Sequence, residues 1–260
     1  MYASNYFEEK MLNLLRGQNI TAPSTLYLGL FLSNPSDTGS AGTEISYSGY
    51  ARKAITFSAP AASGSNLYMQ NTAEIKFAES STSAGTVQYV GVFDSLTGGN
   101  MLLYGQLTSS LVVQNGVSPV FRAGSVKWTW SGNLSTYYRT AIMNTLRGTS
   151  LNGFTPKIGL CEGDPTGSGA EFSGNNYSRI SVTFSAPSNP SGNVAATVQN
   201  SAQITSAVSS GSWGDLSHVA IYDAATGGHV FAVKQLGTTY TINANASIGF
   251  AAAAIKMSIN

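Results

Sequence analysis

The chain states its fold twice. Tyr6-Phe7-Glu8-Glu9-Lys10-Met11-Leu12-Asn13-Leu14-Leu15-Arg16-Gly17 is answered by Tyr137-Tyr138-Arg139-Thr140-Ala141-Ile142-Met143-Asn144-Thr145-Leu146-Arg147-Gly148, and the closing glycines lie 131 residues apart (148 minus 17). The match continues in order: Leu28-Gly29-Leu30 with Ile158-Gly159-Leu160, Gly49-Tyr50-Ala51-Arg52 with Asn176-Tyr177-Ser178-Arg179, and Phe57-Ser58-Ala59-Pro60 with Phe184-Ser185-Ala186-Pro187. Asn71-Thr72-Ala73 then matches Asn200-Ser201-Ala202, and Val92-Phe93-Asp94 matches Ile221-Tyr222-Asp223. The offset drifts only between 131 and 127, as loop insertions and deletions would make it do. Solenoid units are roughly 20 to 50 residues long, so a period this long marks a duplicated domain. The seam is expected near Ser131-Gly132-Asn133, giving domains 1–130 and 131–260, each large enough for its own core.

Within a copy, the opening segment reads as a helix. Ser4 and Ser135 can cap it, and Phe7, Met11, Leu14 and Leu15 form a stripe that Tyr138, Ile142, Thr145 and Leu146 repeat. Gly17 and Gly148 end it, and the stripe is assigned to the core of its own domain. Short β-rich runs follow between Gly, Pro, Asn and Ser clusters: 25–32, 51–58, 73–77, 86–94, 100–107 and 120–130, with equivalents in the second copy. The expected fold class is mainly β: two tandem similar β-sandwich domains, immunoglobulin-like or jelly-roll-like, each preceded by one N-terminal α-helix.

Charge narrows the function. Asp, Glu, Lys and Arg make up 10% of the chain, against about 25% in an ordinary domain. A surface so neutral repels other copies weakly, so part of it is expected to be covered by neighbours, other copies of itself among them. The net charge of +1 offers no basic cluster for phosphates, which excludes a nucleic-acid partner. The longest apolar runs fall short of a bilayer span, so no membrane insertion is expected, and the start of the chain does not read as a secretory leader.

The inventory of reactive groups is thin. Cys161 aligns with Phe31 in a strand-like run and reads as a small buried hydrophobe. Asp94 and Asp223 each open an Asp-x-x-Thr-Gly-Gly turn, where a carboxylate accepts backbone hydrogen bonds and glycine supplies positive φ. Asp37 and Asp164 sit in a second turn-rich loop, too poor in carboxylates for calcium. His218 and His229 occur only in the second copy and read as ordinary polar residues. Glu44 with Glu171, Arg52 with Arg179 and Lys127 with Lys256 are kept across the repeat, as buried Glu–Arg pairs or as exposed charges. No catalytic, cofactor-binding or metal-binding residue is assigned, no cofactor is expected, and the chain is not expected to be an enzyme.

The ordered strings Leu26-Tyr27-Leu28-Gly29-Leu30-Phe31, Gly42-Thr43-Glu44, Gly49-Tyr50-Ala51-Arg52, Asn71-Thr72-Ala73, Gly91-Val92-Phe93-Asp94, Thr97-Gly98-Gly99-Asn100-Met101-Leu102-Leu103-Tyr104-Gly105 and Phe121-Arg122-Ala123-Gly124 resemble a family of small phage virion proteins commonly labelled tail-fibre proteins. The second copy departs from it at Asn176 for Gly49, Ala220 for Gly91 and Phe231-Ala232-Val233 for Leu102-Leu103-Tyr104. The resemblance implies a non-enzymatic structural component of a tailed bacteriophage virion, assembled in the host bacterial cytoplasm. A tail or tail-fibre-associated adaptor around a symmetric axis is the leading expectation, its partners being its own copies and neighbouring virion proteins. A capsid decoration or head-fibre protein is one alternative. Another is a carbohydrate-binding module for host surface glycans, using Tyr47, Tyr50, Tyr68 or Trp213 as stacking platforms. A glycan-cleaving enzyme ranks below both, since Glu44 and Asp94 follow no recognised carboxylate spacing. The loops 40–49, 169–176, 80–86 and 206–216, with Tyr47 and Trp213, are the expected docking surface.

Overall fold

A computed structural model describes residues 1–188 and 195–259. The first repeat opens with β1 (Tyr2–Ala3) and α1 (Asn5–Asn13), which a 3-10 turn over Leu14–Arg16 prolongs. Ser4 is extended, and its Oγ accepts from the Phe7 N–H at 3.3 Å; Gly17, at φ 73°, closes the helical segment. These are the start and stop that the sequence signals. Strands β2 (Leu26–Phe31), β3 (Lys53–Ile55), β4 (Ala61–Ser63), β5 (Asn66–Gln70), β6 (Ile75–Lys76), β7 (Gly85–Phe93), β8 (Met101–Val113), β9 (Val120–Phe121) and β10 (Lys127–Trp130) follow. The second repeat supplies α2 (Thr136–Thr145) and strands β11 (Lys157–Cys161), β12 (Ile180–Ser181), β13 (Ala196–Gln199), β14 (Ile204–Thr205), β15 (Gly214–Tyr222), β16 (Val230–Ile242), β17 (Gly249–Phe250) and β18 (Lys256–Ile259).

The two halves share one strand order. The first has β1-β8-β7-β2-β3, β10-β5-β4 and β6-β9; the second has β12-β11-β15-β16, β13-β18 and β14-β17, every pair antiparallel. Where β1 pairs with β8, the second repeat makes a single bridge, Leu134 to Ala232.

The expected strands differ in several places: 51–58 is a strand only over Lys53–Ile55, 100–107 continues to Val113, and two further departures have a local cause. The run 120–130 is two strands, because residues between β9 and β10 turn out at Gly124, φ 80°, whose N–H bonds the Asn71 carbonyl. The β4–β5 hairpin was not anticipated. Its Ala-Ser-Gly-Ser sequence resembles a linker, yet Gly64 takes φ 61° at the turn, and Leu67 and Met69 point into the core at period two. The matching positions of the second repeat, 189–194, lie outside the described residues.

The helices correct a second expectation. Each stripe is buried, but not in its own repeat alone: α1 packs on β8 and also on β13 and β18 of the second repeat, while α2 packs on β16 and on β5 of the first. One continuous apolar cluster therefore runs from Phe7, Met11 and Trp128 through Ile142 and Val198 to Met257. A nine- or ten-residue helix with an apolar face wider than its own sheet can cover finds the rest of its cover across the seam.

Candidate functional site

Leu-Gly-Leu in β2 and Ile-Gly-Leu in β11 leave a gap in the sheet face. A Cβ on Gly29 would lie 2.9 Å from Glu44 Oε1, and one on Gly159 would lie 3.0 Å from Glu171 Oε1, so only glycine admits the carboxylate there. Into this space each repeat builds the same clamp. Arg52 Nε and Nη2 donate to the two oxygens of Glu44 at 2.9 and 2.8 Å, and Arg179 repeats the fork on Glu171 at 2.8 and 2.7 Å. The remaining Nη1 of Arg52 holds the carbonyls of Ser95 and Gly98, and that of Arg179 holds those of Ala224 and Gly227.

An aromatic ring completes each clamp. The guanidinium carbon lies 3.4 Å from the ring centroid of Phe93 in one repeat and of Tyr222 in the other. Tyr50 and Tyr177 donate their hydroxyls to Glu44 and Glu171 while accepting from the Leu30 and Leu160 N–H groups. Burial, more than the neighbouring carboxylate, raises the pKa of both phenols, so they stay neutral donors. The repeat offered the Glu–Arg pair as one of two readings, and the structure selects it; the tyrosine and the stacked ring were not foreseen, although Tyr50-x-Arg52 and Tyr177-x-Arg179 repeat with it. Lys127 and Lys256 take no part: Lys127 lies over the Tyr68 ring at 3.9 Å, and Lys256 is exposed.

Every charge-bearing atom of the clamp is engaged in fastening the tip of the β7–β8 or β15–β16 hairpin to the loop after β2 or β11. A bidentate arginine fork fixes geometry and leaves no acid or base poised for proton transfer.

The other singled-out residues also have internal roles. Asp94 accepts from the Asn100 N–H at 2.7 Å and Asp223 from the His229 N–H at 2.7 Å, as turn formers do. Asp37 is buried and takes the hydroxyl of Tyr104; Asp164 caps its own loop at Thr166. Cys161 is buried, and burial, with Glu171 nearby, pushes its thiol up to about 12. His218 lies in β15 with Nδ1 2.7 Å from Ser217 Oγ. His229 stacks on Tyr137 at 3.6 Å, its Nδ1 3.3 Å from Asp223 Oδ2, an arrangement the sequence did not suggest. Among the described residues, no three His, Cys, Asp or Glu side chains gather as a metal site.

The aromatic platforms need correcting. Trp213 is only 6% exposed, donates its indole N–H to the Asn175 carbonyl at 2.9 Å and packs on Tyr177. Tyr47 donates to the Ala78 carbonyl and packs on Tyr50, which itself stacks on Phe77. Tyr68 is covered on one face by Lys127. These rings close their own loops, so Tyr47 and Trp213 are internal packing rather than docking groups.

Duplicated antiparallel sheets, a cross-seam helix pair and matched loop-fastening clamps define a protein built from one unit used twice. The chain belongs to the family described as Podophage GP4 fiber I protein gp80, whose model matches it twice, over residues 2–129 and 133–258. No curated protein matches the chain.

Proposed function

We propose that this chain is a non-enzymatic structural component of a tailed-phage virion, a fibre-associated adaptor assembled with its own copies around a symmetric axis. The observation that carries the reading is the family match over both repeats. The twin clamps support it, since the glutamate and arginine kept across the repeat hold loops in place. Two similar units per chain let a ring of n chains present 2n related faces, which suits a junction between parts of different rotational symmetry. Each repeat is read as a small β-sandwich, its larger sheet facing the short strand pairs across the core. The low charge of the exterior favours cover by neighbouring virion proteins and by other copies.

The test is a cryo-EM reconstruction of particles with and without the gene for this chain. The adaptor reading requires density lost from a tail or fibre junction. Loss from the capsid surface would instead make it a head decoration, and an unchanged particle would remove it from the virion.

A further inference from the structure

The two repeats bring the hairpin aspartate, Asp94 or Asp223, to the start of a helix, and they differ in what fills the space between. In the second repeat, Tyr138 fills it. Its hydroxyl donates to Asp223 Oδ2 at 2.9 Å, and its ring packs on Phe154 and Phe231 with centroids 5.4 and 4.8 Å away. The first repeat has Phe7, Pro23 and Leu102 at these positions. Phe7 lacks the hydroxyl, and Pro23 and Leu102 are smaller than the two phenylalanines. What remains is a cleft of about 100 Å³, open to solvent, between α1, the stretch 19–23, Asp94 and the end of α2.

The first repeat also changes the chemistry of the walls. Lys10 lines the cleft where the second repeat has Ala141, and its Nζ lies 5.4 Å from the Tyr6 ring centroid. Asn19 lines it too, with Oδ1 taken by the Gly153 N–H. Asp94 accepts two bonds, both from Asn100, and a carboxylate has roughly four lone-pair sites. Acceptor capacity is therefore left where Tyr138 shows, in the sister repeat, that a hydroxyl can bind.

A carboxylate, an ammonium, an amide and a phenol around a short apolar floor of Phe7 and Leu102 suit a compact ring carrying several hydroxyls. A water takes about 30 Å³ of liquid volume, so the cleft admits one edge of one ring and leaves the rest outside. A phenol from a partner protein would satisfy Asp94 but leave the ammonium and the amide unpaired. We propose that this cleft binds a single saccharide unit, at the place the second repeat fills with its own tyrosine. The proposal does not depend on where the chain sits on a particle.

Saturation-transfer NMR on the full-length protein tests it, with free hexoses, 6-deoxyhexoses and N-acetylhexosamines offered one at a time. At least one is expected to bind with Kd on the order of 1 mM. The double variant Phe7→Tyr, Pro23→Phe, which installs the second repeat's own residues, should abolish the signal. Lys10→Ala should weaken binding by about tenfold, whereas Tyr137→Ala in the second repeat should leave it unchanged. No transfer to any sugar, or transfer that survives both first-repeat variants, overturns the proposal. So does binding of p-cresol with no sugar bound, which would assign the cleft to a protein side chain.

Discussion

Ile20 and Leu151 occupy the same position of the two repeats, and they hydrogen-bond to each other in both directions, at 2.8 Å from Ile20 N and 2.9 Å from Leu151 N. The flanking bonds trade places in the same way. Ala22 N donates to Ser150 Oγ and Gly153 N to Asn19 Oδ1, each at 3.0 Å. Equivalent atoms meeting reciprocally place an approximate twofold axis between these residues, as in an isologous dimer interface. The tandem chain is thus arranged as a covalently joined dimer of its own repeats.

That arrangement separates two ways the duplication could work. Independent beads would part once the connection at 131–133 is cut. Here each helix is packed on strands of both repeats, so a sequence-specific protease site inserted after Gly132 should, when cleaved, release no separate half. Size-exclusion chromatography under native conditions should show both fragments eluting together, and urea should unfold the intact chain in a single transition. Separation of the fragments at micromolar concentration would show that the seam adds little to association.

The fourth residue of the helix carries opposite charge in the two repeats, Glu8 and Arg139, and both face across the seam. Glu8 Oε2 accepts from the Ala196 N–H at 3.2 Å, whereas Arg139 Nη1 donates to the Ser65 and Trp130 carbonyls at 2.9 and 3.3 Å. Burial raises the Glu8 carboxyl from 4.5 to about 7; the Ala196 bond opposes the rise and nearby Asp37 adds to it. The folded state therefore holds this proton more tightly than the unfolded chain. The contribution is fully present below about pH 4.5, declines as pH rises from there to about 7, and is gone above. Allowing for partial screening, the decline should be about 1 to 2 kcal/mol. Urea midpoints across this range should show the gap between wild type and Glu8→Gln moving in the variant's favour as pH rises. A constant gap would place Glu8 in contact with water. Glu8→Arg should destabilise at every pH, because a guanidinium cannot accept from the Ala196 N–H.

Arg52 joins a carboxylate, two hairpin carbonyls and an aromatic face, with 10% of its side chain exposed against 27% for Glu44. Removing one partner of such a pair strands the other, and with Glu44 partly wet the cost of Arg52→Ala should be about 2 kcal/mol. Arg52→Lys keeps the charge but not the fork, and should recover less than half of the loss. Chemical denaturation of the two variants would decide it; full recovery by lysine would mean that charge, not geometry, holds the hairpin.

How much of this was legible in the sequence follows from what the repeat can and cannot encode. The matched positions offered the Glu44–Arg52 pair as one of two readings, and the helix caps at Ser4 and Ser135 and the Gly17 and Gly148 stops follow from local rules. The cross-seam packing did not, because an apolar stripe on a helix says that a face is covered and not by which sheet. The roles of Trp213 and Tyr47 were misread for a related reason. Their loops diverge between the copies, yet each ring is held by a carbonyl in its own repeat, Asn175 or Ala78. The cleft beside Asp94 became visible only when Phe7, Pro23 and Leu102 could be set against Tyr138, Phe154 and Phe231 in space.

The matched Asn71 and Asn200 show what an unexplained repeat position can mean. Asn71 is 2% exposed; its Nδ2 donates to the Ala73 and Arg122 carbonyls and its Oδ1 accepts from the Val126 N–H, tying the β9–β10 connection to the end of β5. Asn200 makes the same three bonds to Ala202, Ala251 and Ile255. Aspartate has the same shape but no donors, so Asn71→Asp would set a carboxylate against two carbonyls and should cost about 3 kcal/mol, with Asn71→Ala costing about 2. The two asparagines share no partner, so the losses in an Asn71→Ala, Asn200→Ala double variant should add to within about 0.5 kcal/mol. Urea denaturation of the four variants supplies the values. If Asn71→Asp proved no worse than Asn71→Ala, the two Nδ2 donations would not be what holds the connection; a shortfall from additivity would show instead that the two connections sense each other through the seam.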